Sequence, residues 1–389
     1  MKNVAATIGF ATLLLAGTTQ AQITINGWTS GKTLLSSFAP KLASDTQNDV
    51  VTIAGTGKGL SALETQLGSY LDLPTRLGWA GSTNFIFSPS QQIGQGASIA
   101  LAFGGPDLYD VAIEMHQGGQ ESGSSLWFQL GSGAPPLSSG INWQPTTQFG
   151  PGPWACGPYP RGCGAGRFDY GYSPTVAADN DEPPSSTTTV VEVHQSAATG
   201  ESTLYYHVGI LTLSASPSIT WGQSLQVSAT TQGSAPTVSI SNNVAVLVFQ
   251  GSGGALLYST GVVDPTTSTI AWTEPVSYGS GYSPTISVSG DGTGLPRRVL
   301  VEAHQVGTGT GSLVYSTGAM IGPSPTSIIW SSLSGTPANI AYATGCSPSV
   351  ALAFAGHTLM SQVSATETHA CGGSTATDVE AFFGHLVGK

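Results

Sequence analysis

Six recurring units of four short apolar segments, with one unit split between the two chain ends, predict an all-β fold built as a single β-propeller. The predicted ring has six four-stranded blades, the N-terminal strand completing the C-terminal blade. Composition removes the main competitor, a disordered chain. Ten Lys/Arg and 21 Asp/Glu in 389 residues, with 52 Gly and 24 Pro, look like low complexity. Yet 40% of residues are hydrophobic and mean hydropathy is +0.11, which is enough to fill a core.

In chain order, Met1-Lys2-Asn3 is a short basic start, the run Val4 to Ala16 is apolar, and Thr19 and Ala21 suit cleavage before Gln22. Residues 1–21 therefore read as a signal peptide and 22–389 as the propeller domain, secreted or periplasmic. No later run of eighteen apolar residues exists to span a membrane. A net charge of −11 excludes a nucleic-acid partner, because phosphate neutralisation needs a basic surface.

The clearest unit has Ser173-Pro174-Thr175-Val176, Val190 to Gln195, Leu204 to Gly209 and Ile219-Thr220-Trp221. Segments this short, rich in Val, Ile, Thr and Tyr between Gly, Ser and Pro, are strands. Equivalent units carry Ala235-Pro236 with Trp272, Ser283-Pro284 with Trp330, and Ala97-Ser98 with Trp143. A weaker unit runs from Ala39-Pro40 to Leu77-Gly78-Trp79, and the last starts at Ser347-Pro348. The period is roughly 61 residues, and its excess over shorter repeats is placed in loops at 80–96 and 145–169. The last unit lacks an Ile-x-Trp; the segment Ile23 to Trp28 supplies the missing strand.

Glu114/His116, Glu192/His194 and Glu302/His304 recur at one repeat position, two residues apart on a strand, so each pair faces one way. Glu and His suit metal binding or acid–base work. The fourth unit, however, replaces both together with Leu247 and Phe249. That concerted change reads as a structural joint, polar in some blades and apolar in another. In the last unit Glu367/His369 and the stretch Met360 to Val363 compete for the position. Cys156/Cys163 and Cys346/Cys371 read as two local disulfides in an oxidising compartment, since neither pair has zinc-type CxxC spacing.

Trp154, Tyr170, Tyr172, Tyr278 and Tyr282 fall in or beside loops, where aromatic rings can stack on sugars. They are the candidate ligand-binding residues. No catalytic or metal set is assigned. No cofactor is expected, except that Asp107/Asp110, Asp179/Asp181/Glu182 and Asp291 would suit calcium. Arg297-Arg298 with Arg76, Arg161 and Arg167 do not make a carboxylate-binding arginine cluster, and no Ser-x-Asp-x-Gly-x-x-Trp box, Gly-x-Ser-x-Gly elbow or phosphate loop is present.

The Val-Val-Glu-Val-His-Gln, Leu-Tyr-Tyr-x-Val-Gly and Ile-Thr-Trp-Gly series resembles repeats of secreted bacterial proteins, and in architecture it is similar to lectin propellers. The resemblance implies one sugar site per blade interface, built from Trp, Glu or Arg. The sequence reading is thus a secreted, non-catalytic carbohydrate- or surface-glycan-binding propeller. The alternatives are an extracellular glycoside hydrolase or polysaccharide lyase, with Glu64, Glu114, Glu192, Glu302 and Asp110 as candidate carboxylates, and a structural or adhesive protein.

Overall fold

The computed structural model describes residues 23–26, 32–36, 38–44, 50–56, 62–71, 84–87, 91–95, 97–104, 111–118, 125–132, 141–145, 147–148, 171–179, 186–196, 202–214, 216–290, 297–332, 336–355, 362–370 and 378–388. Among them are 29 strands, one short 3₁₀ turn at Ser252–Gly254 and no α-helix. β1 (Ile23–Asn26) and β2 (Lys32–Ser36) open the chain. A first sheet holds β3 (Phe38–Ser44), β4 (Val50–Thr56), β5 (Ala62–Leu71), β6 (Asn84–Phe87) and β7 (Gln91–Gln95). A second holds β8 (Ala97–Gly104), β9 (Val111–Gln117), β10 (Leu126–Ser132), β11 (Asn142–Trp143) and β12 (Thr147–Gln148). The third contains β13 (Gly171–Ala178), β14 (Thr187–Ser196), β15 (Leu204–Thr212), β16 (Ser218–Trp221) and β17 (Leu225–Gln226). In the fourth are β18 (Ser234–Ser241), β19 (Val244–Gln250), β20 (Ala255–Asp264), β21 (Thr269–Trp272) and β22 (Val276–Ser280).

The rest form one nine-stranded sheet: β23 (Tyr282–Gly290), β24 (Arg297–Val306), β25 (Gly311–Ile321), β26 (Ile329–Trp330), β27 (Ile340–Ala355), β28 (Gln362–Ala370) and β29 (Asp378–Gly388), with β1 and β2 on β29. The six separate four-stranded blades expected from sequence are therefore corrected. Hydrogen bonding makes four separate blades, each of five strands, and one larger sheet. The cause lies in β27. Gly281 separates β22 from β23, but β27 runs unbroken for 16 residues and pairs first with β25 and then with β28. Two further corrections concern the first sheet. Its fourth strand is Asn84–Phe87, whereas Leu77-Gly78-Trp79 lies outside the described residues. The expected loop at 80–96 contains β6 and β7.

First strands lie against one another in the circuit β3, β8, β13, β18, β23, β27 and back to β3. The small-residue–Pro motif explains how. Each of these strands shifts register at that motif, as between Tyr172 and Thr175 or Tyr282 and Thr285. Ser98, Ser173, Ala235, Ser283 and Ser347 have φ of 48–51° there. A proline without an N–H is tolerated at such a bulge. Beyond it, hydroxyls serve the next strand of the circuit: Val238 N donates to Thr175 Oγ1 (3.3 Å), Val288 N to Ser239 Oγ (3.0 Å) and Leu352 N to Ser287 Oγ (3.0 Å). Backbone donors on a sheet edge are thereby satisfied.

Behind the first strands, both sheet faces are buried. On β19, Ala245, Leu247 and Phe249 pack towards the third sheet, and Val244, Val246 and Val248 pack towards Ile286, Val288 and Leu300 of the nine-stranded sheet. A strand covered on both faces reads as a continuous apolar run, and this one is Val-Ala-Val-Leu-Val-Phe.

Candidate functional site

The second strand of a sheet carries the ionisable pairs. Nδ1–H of His116, His194 and His304 donates to Glu114, Glu192 and Glu302 at 2.9, 3.0 and 3.0 Å, and the second carboxylate oxygen is 3.1–3.2 Å away. His369 Nδ1 and Glu367 make the fourth pair at 3.1 Å on β28, so Glu367/His369 hold the repeat position in that sheet. All eight side chains are at most 3% exposed.

Two pairs gain a tyrosine from the strand that precedes them. Tyr278 is the bulged residue of β22, and its hydroxyl donates to Glu302 Oε1 at 2.9 Å. Burial drives the Tyr278 phenol well above its ordinary pKa, and the Glu302 carboxylate adds to the rise. Tyr342, the bulged residue of β27, is raised in the same way by burial and then by Glu367. The corresponding residue of the third sheet is Val227, which packs with Leu247 and Phe249. In these two joints Tyr accompanies Glu and His, and Val accompanies Leu and Phe; ahead of Glu114/His116 the bulged residue of β7 is Ile93. The rings also share one seat: a Cβ on Gly171, Gly281 or Gly345 would strike His194, His304 or His369, and on Gly233 it would strike Phe249.

The third sheet differs in one residue. His207 on β15 lies directly across from Glu192, where other sheets place Gln129, Ser259, Ser316 and Phe382. Ligand atoms of Glu192, His194 and His207 all fall within 4.8 Å of one another, so this buried trio can coordinate a divalent metal. His207 Nδ1 lies 3.1 Å from the Gly222 carbonyl, and the two imidazoles stack at 6.0 Å between centroids. Sequence reasoning missed His207 because it recurs in no other unit.

The aromatic candidates are dispersed. Tyr172 (39% exposed) and Tyr282 occupy one repeat position on β13 and β23, paired with Gln195 and Gln305. Tyr278 belongs to the joint described above. Trp154 and Tyr170 lie outside the described residues. The repeat tryptophans pack between sheets: Trp221 edge-on to Phe128, Trp272 to Tyr206 and Trp330 to Tyr258, at 6.0–6.3 Å.

Asp179, a calcium candidate, and Arg298 hold a turn. Asn242 and Asn243 join β18 to β19 with φ of 48° and 57°. Their N–H groups donate to Asp179 at 2.9 and 2.6 Å. Arg298 donates to the carbonyls of Ser241 (2.7 Å), Asn242 (2.9 Å) and Gly322 (2.9 Å). One backbone turn thus receives an anion from the third sheet and a cation from the nine-stranded sheet.

The expectation of a disulfide at Cys346 is also corrected. Among the described residues no disulfide is found, and Cys346 is a free thiol directed at the Ala370 carbonyl 3.8 Å away. Cys156, Cys163 and Cys371 lie outside the described residues. Burial pushes the Cys346 thiol above its usual pKa. Its alkylation, followed by peptide mass spectrometry, is expected to be slow at neutral pH and to keep accelerating after an unburied thiol has levelled off. A plateau at the ordinary thiol pH would contradict this.

No model of a known protein family matches the chain, and no curated protein matches it either. Among solved structures, it resembles the haemagglutinin-neuraminidase ectodomain of parainfluenza virus 5 (TM-score 0.52, 8% identity, 94% of this chain and 86% of that one). Trypanosoma rangeli sialidase follows (0.47, 9%); 90% of this chain is covered, but it spans only 55% of that one. An exo-1,5-α-L-arabinanase from a bovine ruminal metagenomic library scores 0.40 at 11% identity, covering 75% of this chain and 96% of that one. The likeness at a TM-score of 0.52 shows a β-propeller-like fold. The non-catalytic, lectin-like expectation is corrected: the propeller matched at that score is named a haemagglutinin-neuraminidase, and the third sheet gathers a Glu/His/His trio. No helix among the described residues is long and apolar enough to cross a membrane.

Proposed function

We propose that the protein is an exported carbohydrate-active enzyme that cleaves glycosidic bonds. The observation that carries this reading is the propeller's likeness, over 94% of its length, to a haemagglutinin-neuraminidase ectodomain. The N-terminal segment 1–21, read as an export signal, supports an extracellular or periplasmic place of action. Glycoside hydrolysis generally needs two carboxyl groups about 5–9 Å apart across the scissile bond. Glu114, Glu192 and Glu302 are buried in hydrogen bonds with histidines, which leaves Glu64, on β5, and Asp110, outside the described residues, as the carboxylates to test among the five candidates.

The test is a panel of polysaccharides and fluorogenic glycosides that includes sialosides and arabinans, read by release of reducing ends or fluorophore. Turnover on at least one substrate is expected, lowered ~10³-fold or more by Glu64→Gln and by Asp110→Asn with the far-ultraviolet spectrum unchanged. No turnover across the panel would overturn the enzyme reading. Turnover that survives both substitutions would overturn the assignment of the carboxylates.

A further inference from the structure

We propose that Glu192, His194 and His207 form a binding site for one zinc-class divalent ion inside the third sheet, a site independent of the glycosidase reading. The strand geometry supplies the ligands. Glu192 and His194, two apart on β14, face one way, and His207 meets Glu192 directly across the β14–β15 ladder. Among the described residues this is the one such trio. The other Glu–His pairs lack it for a visible reason: Gln, Ser or Phe stands opposite the glutamate.

One of the three spacings is already close to a tetrahedral edge, and the His207 ligand atom lies within 4.8 Å of the other two. Ligand atoms about 2.0–2.1 Å from a tetrahedral ion stand about 3.3 Å apart. The Glu192 oxygens are 3.0 and 3.1 Å from His194 Nδ1, so a few tenths of an ångström of opening would admit an ion between them in place of the Nδ1 proton, which is released to solvent as the metal–nitrogen bond forms. The Gly222 carbonyl accepts from His207 Nδ1–H, which leaves Nε2 with the lone pair that a metal needs. A backbone carbonyl behind a ligating imidazole is the usual orienting partner in metal sites. The donor set also selects among metals. Two imidazole nitrogens and one carboxylate suit zinc or cobalt, whereas calcium takes six to eight oxygens. One carboxylate charge offsets part of the ion's in this buried place. Three protein ligands leave one position for water.

The experiment titrates the full-length, chelator-stripped protein with Co²⁺ and follows the visible bands of the tetrahedral ion, with bound zinc and cobalt measured by mass spectrometry. About one equivalent is expected, displaced by Zn²⁺. His207→Ser installs the residue that stands at this register as Ser259 and Ser316, so the fold has two precedents for it. That variant should lose affinity ~100-fold or more, and His207→Cys should recover it with an added thiolate-to-cobalt band. The proposal is overturned if the wild type binds no cobalt at high micromolar concentration. It is equally overturned if His207→Ser keeps the stoichiometry and bands, or if several equivalents bind alike.

Discussion

Glu302→Leu alone is expected to destabilise the protein by about 3–5 kcal/mol, whereas the triple change Tyr278→Val, Glu302→Leu, His304→Phe should cost less than about 1.5 kcal/mol. The single substitution strips the carboxylate from two donors, the His304 Nδ1–H at 3.0 Å and the Tyr278 hydroxyl at 2.9 Å. His304 is buried, and an orphaned buried donor forfeits its full desolvation cost. The triple variant transplants the apolar joint that the protein already builds from Val227, Leu247 and Phe249. Gly281 should receive the phenyl ring as Gly233 receives Phe249. Urea unfolding of both variants decides the matter. A triple variant as unstable as the single one would mean that the two joints are not interchangeable.

Arg298→Ala should cost about 3 kcal/mol, and Arg298→Lys should recover little of it. Three carbonyls on two separate segments accept from three different guanidinium nitrogens, a fork that an ammonium cannot reproduce. Asp179→Ala should cost about 2–3 kcal/mol, since two charge-assisted hydrogen bonds vanish from a fully buried carboxylate. Both residues hold the Asn242-Asn243 turn, so their effects should not add. Once one substitution frees the turn, the other has less left to remove. A double-mutant cycle by thermal or urea unfolding measures this. Strict additivity would show that the two grips act on separate structures.

Much of the fold was legible because the repeat is written in strong residues. The Ser-Pro segment, the Val-Glu-Val-His-Gln run and the Ile-x-Trp each map onto a strand of the third sheet. Two of the four fifth strands were not legible because β12 and β17 are two residues long and offer no alternation to read. Nor was the merging of sheets, which depends on β27 continuing through Gly345-Cys346 without a break. At the candidate site, the paired replacement by Leu247 and Phe249 pointed to a joint, and the recurrence marked the glutamates and histidines. His207 escaped because a lone substitution in one repeat carries no pattern, and only the β14–β15 register brings it to Glu192. The turn-holding roles of Asp179 and Arg298 escaped for another reason. Their partners are backbone atoms of a turn, which no side-chain motif announces.

The hydroxyl-to-backbone links between first strands all run one way: the hydroxyl sits on the earlier strand, and the backbone group, an N–H of Val238, Val288, Val350 or Leu352 or the carbonyl of Pro284, sits on the later one. Such head-to-tail contacts are heterologous, like those that generate rings or open filaments from identical subunits. Each sheet therefore offers its successor something different from what it takes from its predecessor, and the circuit has a sense of rotation. Deleting one unit would not merely shorten the series. It would bring together a hydroxyl set and a backbone set at the wrong angle, and the remaining strands of the circuit would have to re-tilt together to meet.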